Sequence, residues 1–199
     1  MVHARERFVR EGFLGITVEE LACDLGMSKK TFYRVFRSKE DLVEQAARTM
    51  LENVAERVHA IVAGEGNFID KILSLMSLLA SVYPLIESPM VRELQRHLPH
   101  IWRLIDDFRG RQITENFSIL VRQGLEEGFV MPDVNVRLFA LVLVSAVQGI
   151  VRPSRLLEES FSARDAMEGI LDTLFLGIMT PRGREAFSPF QSTHLSHPR

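Results

Sequence analysis

The sequence has few of the features that mark secreted, membrane and redox proteins. Cys23 is the only cysteine among 199 residues, which excludes an internal disulfide, and we expect it to be a small buried side chain. The most apolar stretch, residues 138–151, is shorter than the roughly 20 residues that a membrane helix needs. The N-terminus lacks the apolar segment of a signal peptide. A cytoplasmic protein is therefore expected.

Signals for β-strands are also nearly absent. No segment alternates between apolar and polar residues over its length, and no Asn-Gly or Asp-Gly hairpin turn occurs. The chain is 46% hydrophobic, enough to bury a sizeable core. We therefore predict an all-α fold of about nine helices. The formal net charge is only −2, so any strongly positive surface must be local.

Positive charge is concentrated in residues 26–39, where five of fourteen residues are basic and none is acidic. The preceding segment reads as a short helix, with Thr17 and Glu20 placed to form a capping box. Gly26 ends that helix, and Ser28 can cap a second, basic one. Phe32, Val35 and Phe36 would share the buried face of this second helix. The pattern predicts a helix-turn-helix, whose second helix reads the DNA major groove.

The remaining helices are delimited by capping residues, glycines and prolines. Ser38 can cap a long helix that ends near residue 63, and its apolar stripe is long enough to serve both halves of the molecule. From these signals we predict three regions: a helix-turn-helix domain over 1–48, a second helical domain over 49–181, and a flexible tail over 182–199. The other predicted helices cover about 2–10, 68–83, 89–97, 99–127, 134–151 and 163–179.

The N-terminal segment resembles the tetracycline-repressor (TetR) family of transcriptional regulators. The resemblance covers residues 4–48 and is strongest over Thr17–Ala22, Gly26–Phe36 and Ser38–Leu42. It implies a homodimer with an N-terminal DNA-binding domain, and it implies that the second helical domain, over 49–181, binds an effector and dimerises. Many members of the family have glycine where this chain has Lys30, so this recognition helix is unusually basic.

Site residues follow from the resemblance position by position. Lys29, Lys30 and Thr31 fall at base-reading positions, while Thr17, Tyr33 and Lys39 fall at phosphate-contacting positions. Lys39 also begins the long fourth helix, whose N-terminal amides favour an anion. The full candidate set for DNA binding is Thr17, Ser28, Lys29, Lys30, Thr31, Tyr33, Arg34 and Lys39.

Apolar and aromatic side chains on the predicted fifth to seventh helices are candidates for an effector pocket. Such pockets lie between helices and carry few polar groups, although the same residues could simply fill the core. Because charge is scarce among them, we expect a small hydrophobic or amphipathic effector. The candidates are Met76, Leu79, Tyr83, His97, Trp102, Ile105, Phe117 and Val121.

The last two predicted helices are apolar on nearly all sides, which exceeds what the core of one subunit should need. We therefore expect them to pair with the same helices of a second copy as a four-helix bundle about a two-fold axis. The candidate interface residues are Leu141, Ser145, Gln148, Gly149, Leu171, Leu174, Phe175 and Ile178.

No catalytic, metal-binding or cofactor-binding pattern is evident. The leading hypothesis is a ligand-responsive repressor that binds a palindromic operator as a homodimer, and not an enzyme. One alternative is a ligand-independent or partner-controlled regulator whose C-terminal domain only dimerises. Another is a small-molecule binding protein or enzyme that has lost DNA binding. The retained basic residues Lys29, Lys30 and Lys39 count against the last alternative.

Overall fold

A computed structural model describes the backbone of residues 2–194 and the side chains of residues 3–187. Within that range the regular structure is entirely helical, which confirms the all-α prediction, and the β-type pairing is limited to an isolated bridge between Val130 and Met179. No described helix is both long and apolar enough to cross a membrane. The helices are α1 (Val2–Glu11), α2 (Val18–Asp24), α3 (Lys29–Val35), α4 (Lys39–Ala63), α5 (Phe68–Ala80), α6 (Tyr83–Ile86), α7 (Pro89–His97), α8 (Pro99–Glu126), α9 (Val136–Ile150), α10 (Pro153–Leu156), α11 (Ala163–Ile178) and α12 (Pro181–His194).

Twelve helices are described where about nine were predicted. Two of the additional ones, α6 and α10, are single turns with proline in their first turn. The third, α12, corrects the prediction of a flexible tail from residue 182. The Thr180 hydroxyl accepts a hydrogen bond from the Gly183 amide at 3.1 Å and so caps α12. The side chain of Phe187 is buried in the core of the C-terminal half, which fixes this helix against the protein.

Side-chain caps set most helix starts as the sequence indicated. Thr17 and Glu20 form a complete capping box at α2, and Ser28 and Ser38 cap α3 and α4. The start of α9 differs: the helix was predicted from about residue 134, but it begins at Val136 with Asn135 as its cap. Cys23 also differs from expectation, since it is exposed. Its place at the end of the short α2 leaves it outside the apolar face of that helix.

Two hydrophobic cores hold the molecule together, and the N-terminal one is not built by the first 48 residues alone. Phe8, Leu21 and Phe32 pack there against residues from the start of α4. Helices α7 and α8 contribute Met90, Leu94 and Ile101 to the same core, although they follow residue 48 by more than forty positions. The predicted domain border at residue 48 therefore does not separate the two packing units. The N-terminal core joins the helix-turn-helix to α7 and α8.

Candidate DNA interface and effector cavity

The recognition helix α3 is anchored by two phenylalanines. Phe32 and Phe36 are buried, and their ring centroids lie 5.2 Å apart. Val35, expected on the same face, is instead 56% exposed. It precedes the extended Phe36, where the helix ends, and therefore lies at the outer edge of α3. The turn before α3 contains Gly26, whose φ of 66° is a left-handed conformation that glycine adopts without strain.

The outer face of α3 is basic and accessible. Lys29, Lys30, Tyr33 and Arg34 are exposed. The Lys29 ammonium donates a hydrogen bond to the Glu19 carboxylate on α2, which raises the pKa of Lys29 and lowers that of Glu19. Lys30 makes no hydrogen bond or ion pair with any residue that the structure describes. The Lys30 ammonium is therefore free on the outer face of α3.

The serine and threonine hydroxyl groups of the candidate DNA-binding set already have internal partners. The Thr17 hydroxyl accepts a hydrogen bond from the Glu20 amide at 3.2 Å and donates to the Glu20 carboxylate at 2.8 Å. These bonds to Thr17, with a further one from Arg7, lower the pKa of Glu20 to about 2. The Ser28 hydroxyl accepts from the Thr31 amide at 3.1 Å and lies 3.0 Å from the Thr31 hydroxyl. Thr17, Ser28 and Thr31 thus fix the starts of α2 and α3.

The loop between α1 and α2 is held from two sides. The Lys39 ammonium donates to the carbonyl oxygens of Leu14 at 3.2 Å and Ile16 at 3.0 Å. One Glu93 carboxylate oxygen accepts from the amides of Phe13 at 2.6 Å and Leu14 at 2.9 Å. Because an ammonium has three donors, Lys39 keeps one beyond these two bonds. The loop is therefore hydrogen-bonded to the start of α4 on one side and to the middle of α7 on the other.

An apolar cavity of about 190 Å³ lies in the C-terminal half. Of the eight predicted pocket residues, four line it, namely Leu79, Trp102, Ile105 and Phe117. The sequence analysis missed the contribution of α4 and α7. Both helices carry apolar stripes, but a stripe alone does not show which of its side chains face a cavity. Their lining residues are Ala47, Met50, Leu51, Val54, Ala55, Val58, Met90, Val91 and Leu94.

The other four predicted pocket residues do not line this cavity. Met76 and Val121 pack into the C-terminal core. Tyr83 is buried in the same core, and desolvation raises its pKa to about 12. His97 is exposed at the end of α7, where it borders a separate surface groove. A helical apolar stripe does not reveal which of its members face a void, so residue type alone placed these four incorrectly.

Arg109 is the charged residue of the cavity lining, and Gln112 accompanies it. The Arg109 guanidinium donates through one terminal nitrogen to Asp106 at 2.8 Å, and its other terminal nitrogen lies 3.5 Å from the Val151 carbonyl oxygen. Arg152 lies 3.4 Å from the second oxygen of Asp106. Desolvation lowers the pKa of Arg109, because burial disfavours the charged form.

The outer face of α9 is apolar and uncovered in the single chain. Leu138 is 57% and Leu141 51% exposed, and Ser145 and Gly149 lie on the same face. A side chain added at Gly149 would meet no atom within 4 Å. The same is true of Gly169 and Gly177 on α11. Both helices therefore present surfaces that another helix could approach closely.

Three of the eight predicted interface residues point into their own subunit. Leu171 and Phe175 are buried in the C-terminal core, and this corrects their assignment to a surface. Gln148 is half-buried and donates to the Asp106 carbonyl oxygen on α8 at 2.9 Å. Leu174 and Ile178 are half-buried, and Leu141, Ser145 and Gly149 are exposed. The predicted interface residues that are exposed thus lie on α9, whereas those on α11 are buried or half-buried.

Comparisons with known proteins agree with this architecture. Residues 1–46 match the family profile "Bacterial regulatory proteins, tetR family". An uncharacterised HTH-type transcriptional regulator of Bacillus subtilis, YvaF, is 24% identical over 183 residues, which are 90% of this chain and 94% of the relative. The HTH-type transcriptional repressor KstR2 of Mycobacterium tuberculosis is 27% identical over 139 residues, which are 68% of this chain and 69% of the relative.

The fold recurs in a transcriptional regulator from Cytophaga hutchinsonii. That structure superposes with a TM-score of 0.75 at 18% identity, and the match covers 90% of this chain and 96% of the other. Capped α2, the glycine turn and basic α3 define a helix-turn-helix transcriptional regulator. Residues 1–46 thus resemble the N-terminal domain of the tetR family of bacterial regulatory proteins.

Proposed function

We propose that the protein is a homodimeric transcriptional repressor that leaves a palindromic operator when a small apolar or amphipathic molecule enters the cavity. One observation carries this proposal: the helices that line the cavity also build the core of the DNA-binding half. Met90 and Leu94 of α7 do both. A molecule that moves α7 therefore moves the packing surface beneath the helix-turn-helix.

Glu93 supplies a polar link along the same route. It lies on α7 between two cavity-lining residues, Val91 and Leu94. Its carboxylate accepts two backbone hydrogen bonds from the α1–α2 loop, and Lys39 holds the other side of that loop. We propose that a bound effector shifts α7 and, through Glu93, tilts the helix-turn-helix relative to its partner. A ligand acts only through such differential binding to two conformations.

The proposed dimer uses the exposed face of α9, with Leu138, Leu141, Ser145 and Gly149, against the same face of a second copy. Contiguous apolar surface of this kind is typical of an interaction site. A two-fold dimer would place two copies of α3 about one DNA turn apart, roughly 34–36 Å. The two-fold symmetry makes the expected operator an inverted repeat, and the spacing sets the separation of its half-sites. Since the target is chromosomal DNA, we place the protein in the cytoplasm.

The alternatives have less support. A regulator without a ligand would not need a cavity at the junction of both cores. An enzyme or carrier without DNA binding would not need the exposed, unpaired Lys30 on α3. The relative KstR2 is named a repressor, and we extend repression to this chain by analogy. The ligand response is tested by screening small apolar compounds for a change in Trp102 emission and for release of DNA. The proposal fails if compounds bind in the cavity and none alters DNA affinity.

The exposed cation of α3 gives a first expected result. Lys30→Ala should weaken binding to the duplex selected by the wild-type protein by about 1–3 kcal/mol and relax its preference over a scrambled duplex, because base contacts specify sequence. Lys39→Ala should weaken binding to both duplexes alike, through lost phosphate contact and a looser α1–α2 loop. Fluorescence anisotropy with labelled duplexes at fixed salt measures both effects. A sequence preference altered by Lys39→Ala but not by Lys30→Ala would reverse the two roles.

Glu93→Gln should uncouple the cavity from the DNA. Glu93 does not line the cavity, so the affinity of the free protein for a compound from the screen should stay within about twofold. The ratio of operator affinities without and with that compound should fall by about 2- to 30-fold, the usual range for changes along a coupled element. Glu52→Gln is the matched control, because Glu52 is an exposed residue of α4. An unchanged ratio in Glu93→Gln would show that Glu93 does not transmit the effect of the effector to the helix-turn-helix.

A further inference from the structure

The wall of the apolar cavity carries an excess of buried positive charge. Arg109 lines the cavity, and its side chain is 19% exposed. Arg109 and Arg152 share the single carboxylate of Asp106, at 2.8 and 3.4 Å. Two guanidinium groups against one carboxylate leave a net charge of about +1, with Arg109 and Asp106 largely desolvated and Arg152 36% exposed.

Donor capacity is also left over in this cluster. The Nε atoms of Arg109 and Arg152 are buried and have no hydrogen-bond partner within the part of the chain that the structure describes. Buried polar atoms without partners are uncommon in folded proteins, and each calls for an explanation. The bonds that tie α8 to Asp106 and to the Val151 carbonyl use only the terminal nitrogens of Arg109. The structural role of Arg109 therefore does not account for its Nε.

The rest of the lining sets the nature of the molecule that could use this charge. Apart from Arg109 and Gln112, the cavity is lined by apolar and aromatic side chains, with no carboxylate among them. A cation would therefore meet only repulsion, whereas an anion would be attracted. An apolar cavity of about 150 Å³ accepts benzene, so a cavity of about 190 Å³ suits a ring or a chain of roughly eight carbons.

We propose that the effector is a carboxylate amphiphile, with its apolar body in the cavity and its carboxylate against the Arg109 side chain that lines it. This inference rests on the proposed function, since it names the ligand class of that cavity. The carboxylate offsets the excess positive charge of the cluster formed by Arg109, Arg152 and Asp106. Arginine is suited to this role because its planar donor fork matches a carboxylate. A neutral molecule of the same shape would leave the excess positive charge of this cluster without a counterion.

Three probes with the same chain and different heads test the ligand class: octanoate, 1-octanol and octyltrimethylammonium. Their affinities for the free, full-length protein are measured by Trp102 emission and by calorimetry, without DNA. We expect octanoate to bind at least about tenfold more tightly than 1-octanol, the factor that a charge-assisted hydrogen bond supplies. Octyltrimethylammonium should bind most weakly. Equal or tighter binding of 1-octanol or the cation, or no binding of any probe, overturns the proposal.

Variants locate the preference. Arg109→Gln should abolish the tighter binding of octanoate relative to 1-octanol. Arg103→Gln should retain it, because this substitution removes the same charge from an exposed position on the same helix. An advantage that survives in folded Arg109→Gln protein also overturns the proposal. The comparison of probes on wild-type protein holds whether or not the variant folds. Octanoate binding that depends on Arg109 and leaves DNA affinity unchanged supports the ligand class and contradicts only the ligand-released repressor.

Discussion

Leu141→Glu should convert the protein into a folded monomer that binds its operator at least about 10³-fold more weakly. The Leu141 side chain is 51% exposed on the outer face of α9, so a carboxylate there costs the isolated subunit little. In the proposed dimer the same carboxylate would lie in an apolar contact opposite its symmetry mate, buried and without a partner. A monomer retains one recognition helix and falls towards non-specific affinity, which is typically 10³- to 10⁷-fold lower. Sedimentation velocity and anisotropy with the selected duplex measure the two effects.

Leu104→Glu is the matched control for this experiment. Leu104 is 44% exposed on α8 and is not among the proposed interface residues, so its variant should remain a dimer with wild-type operator affinity. The thermal midpoint of each variant shows whether the subunit still folds. If Leu141→Glu protein still sediments as a dimer and binds the operator normally, the dimer does not use this face of α9.

Phe175→Ala should have the opposite pattern: a large loss of stability with the dimer retained. Phe175 is 1% exposed, and its ring centroid lies 5.2 Å from that of Phe139, 5.9 Å from that of Phe117 and 6.1 Å from that of Phe68. Removing a buried phenylalanine costs about 3–5 kcal/mol through lost burial and the remaining cavity. For a chain of this length, about 2–4 °C per kcal/mol is expected, so the melting temperature should fall by roughly 6–20 °C.

Thr173→Ala controls for substitution on the same helix, since Thr173 is exposed on α11. It should leave the melting temperature within about 2 °C of the wild-type value, as surface substitutions usually do. Calorimetry at one fixed protein concentration is needed, because the melting temperature of a dimer depends on concentration. A Phe175→Ala protein that melts like the wild type but sediments as a monomer would show that Phe175 lies in the dimer interface and not in the core of its own subunit.

The helix-turn-helix could be predicted from sequence because local interactions determine it. Thr17 and Glu20 cap α2 from within the same turn, Gly26 supplies the left-handed residue, and Ser28 caps α3. Each signal lies within four residues of its effect. Basic residues on the resulting short helix then define the face that reads DNA. The correct placement of α2 and α3 follows from this locality.

The link between the two halves could not be predicted in this way. Glu93 contacts the amides of Phe13 and Leu14 from 80 and 79 positions away in sequence. Neither an isolated carboxylate on a helix nor a short loop gives any signal of such a contact. The packing of Met90 and Leu94 against the helix-turn-helix was missed for the same reason. Their spacing on α7 indicates a buried face but not the partner of that face.

The prediction of which face of α11 points outwards was wrong, because the sequence of this helix does not distinguish an inner from an outer face. A helix that is apolar on most sides has no distinct inner face, and Phe175 fits a core as well as an interface. Only the surrounding Phe68, Phe117 and Phe139 show that it faces inwards. The Arg109 cluster could not be predicted for a similar reason, since charged residues three positions apart on a helix, such as Asp106 and Arg109, give no sign of burial. Its burial follows from Arg152 and Val151, which lie more than forty residues further on.

Selection of bound duplexes from a random pool tests the central claim most directly. The wild-type protein should enrich an inverted repeat whose half-site centres lie about 10 bp, or one helical turn, apart. Lys30→Ala should relax the half-site sequence without changing the spacing, and Leu141→Glu should enrich no inverted repeat. No enriched sequence, or a single half-site bound by wild-type protein as tightly as the repeat, would contradict a dimer that reads DNA through two copies of α3.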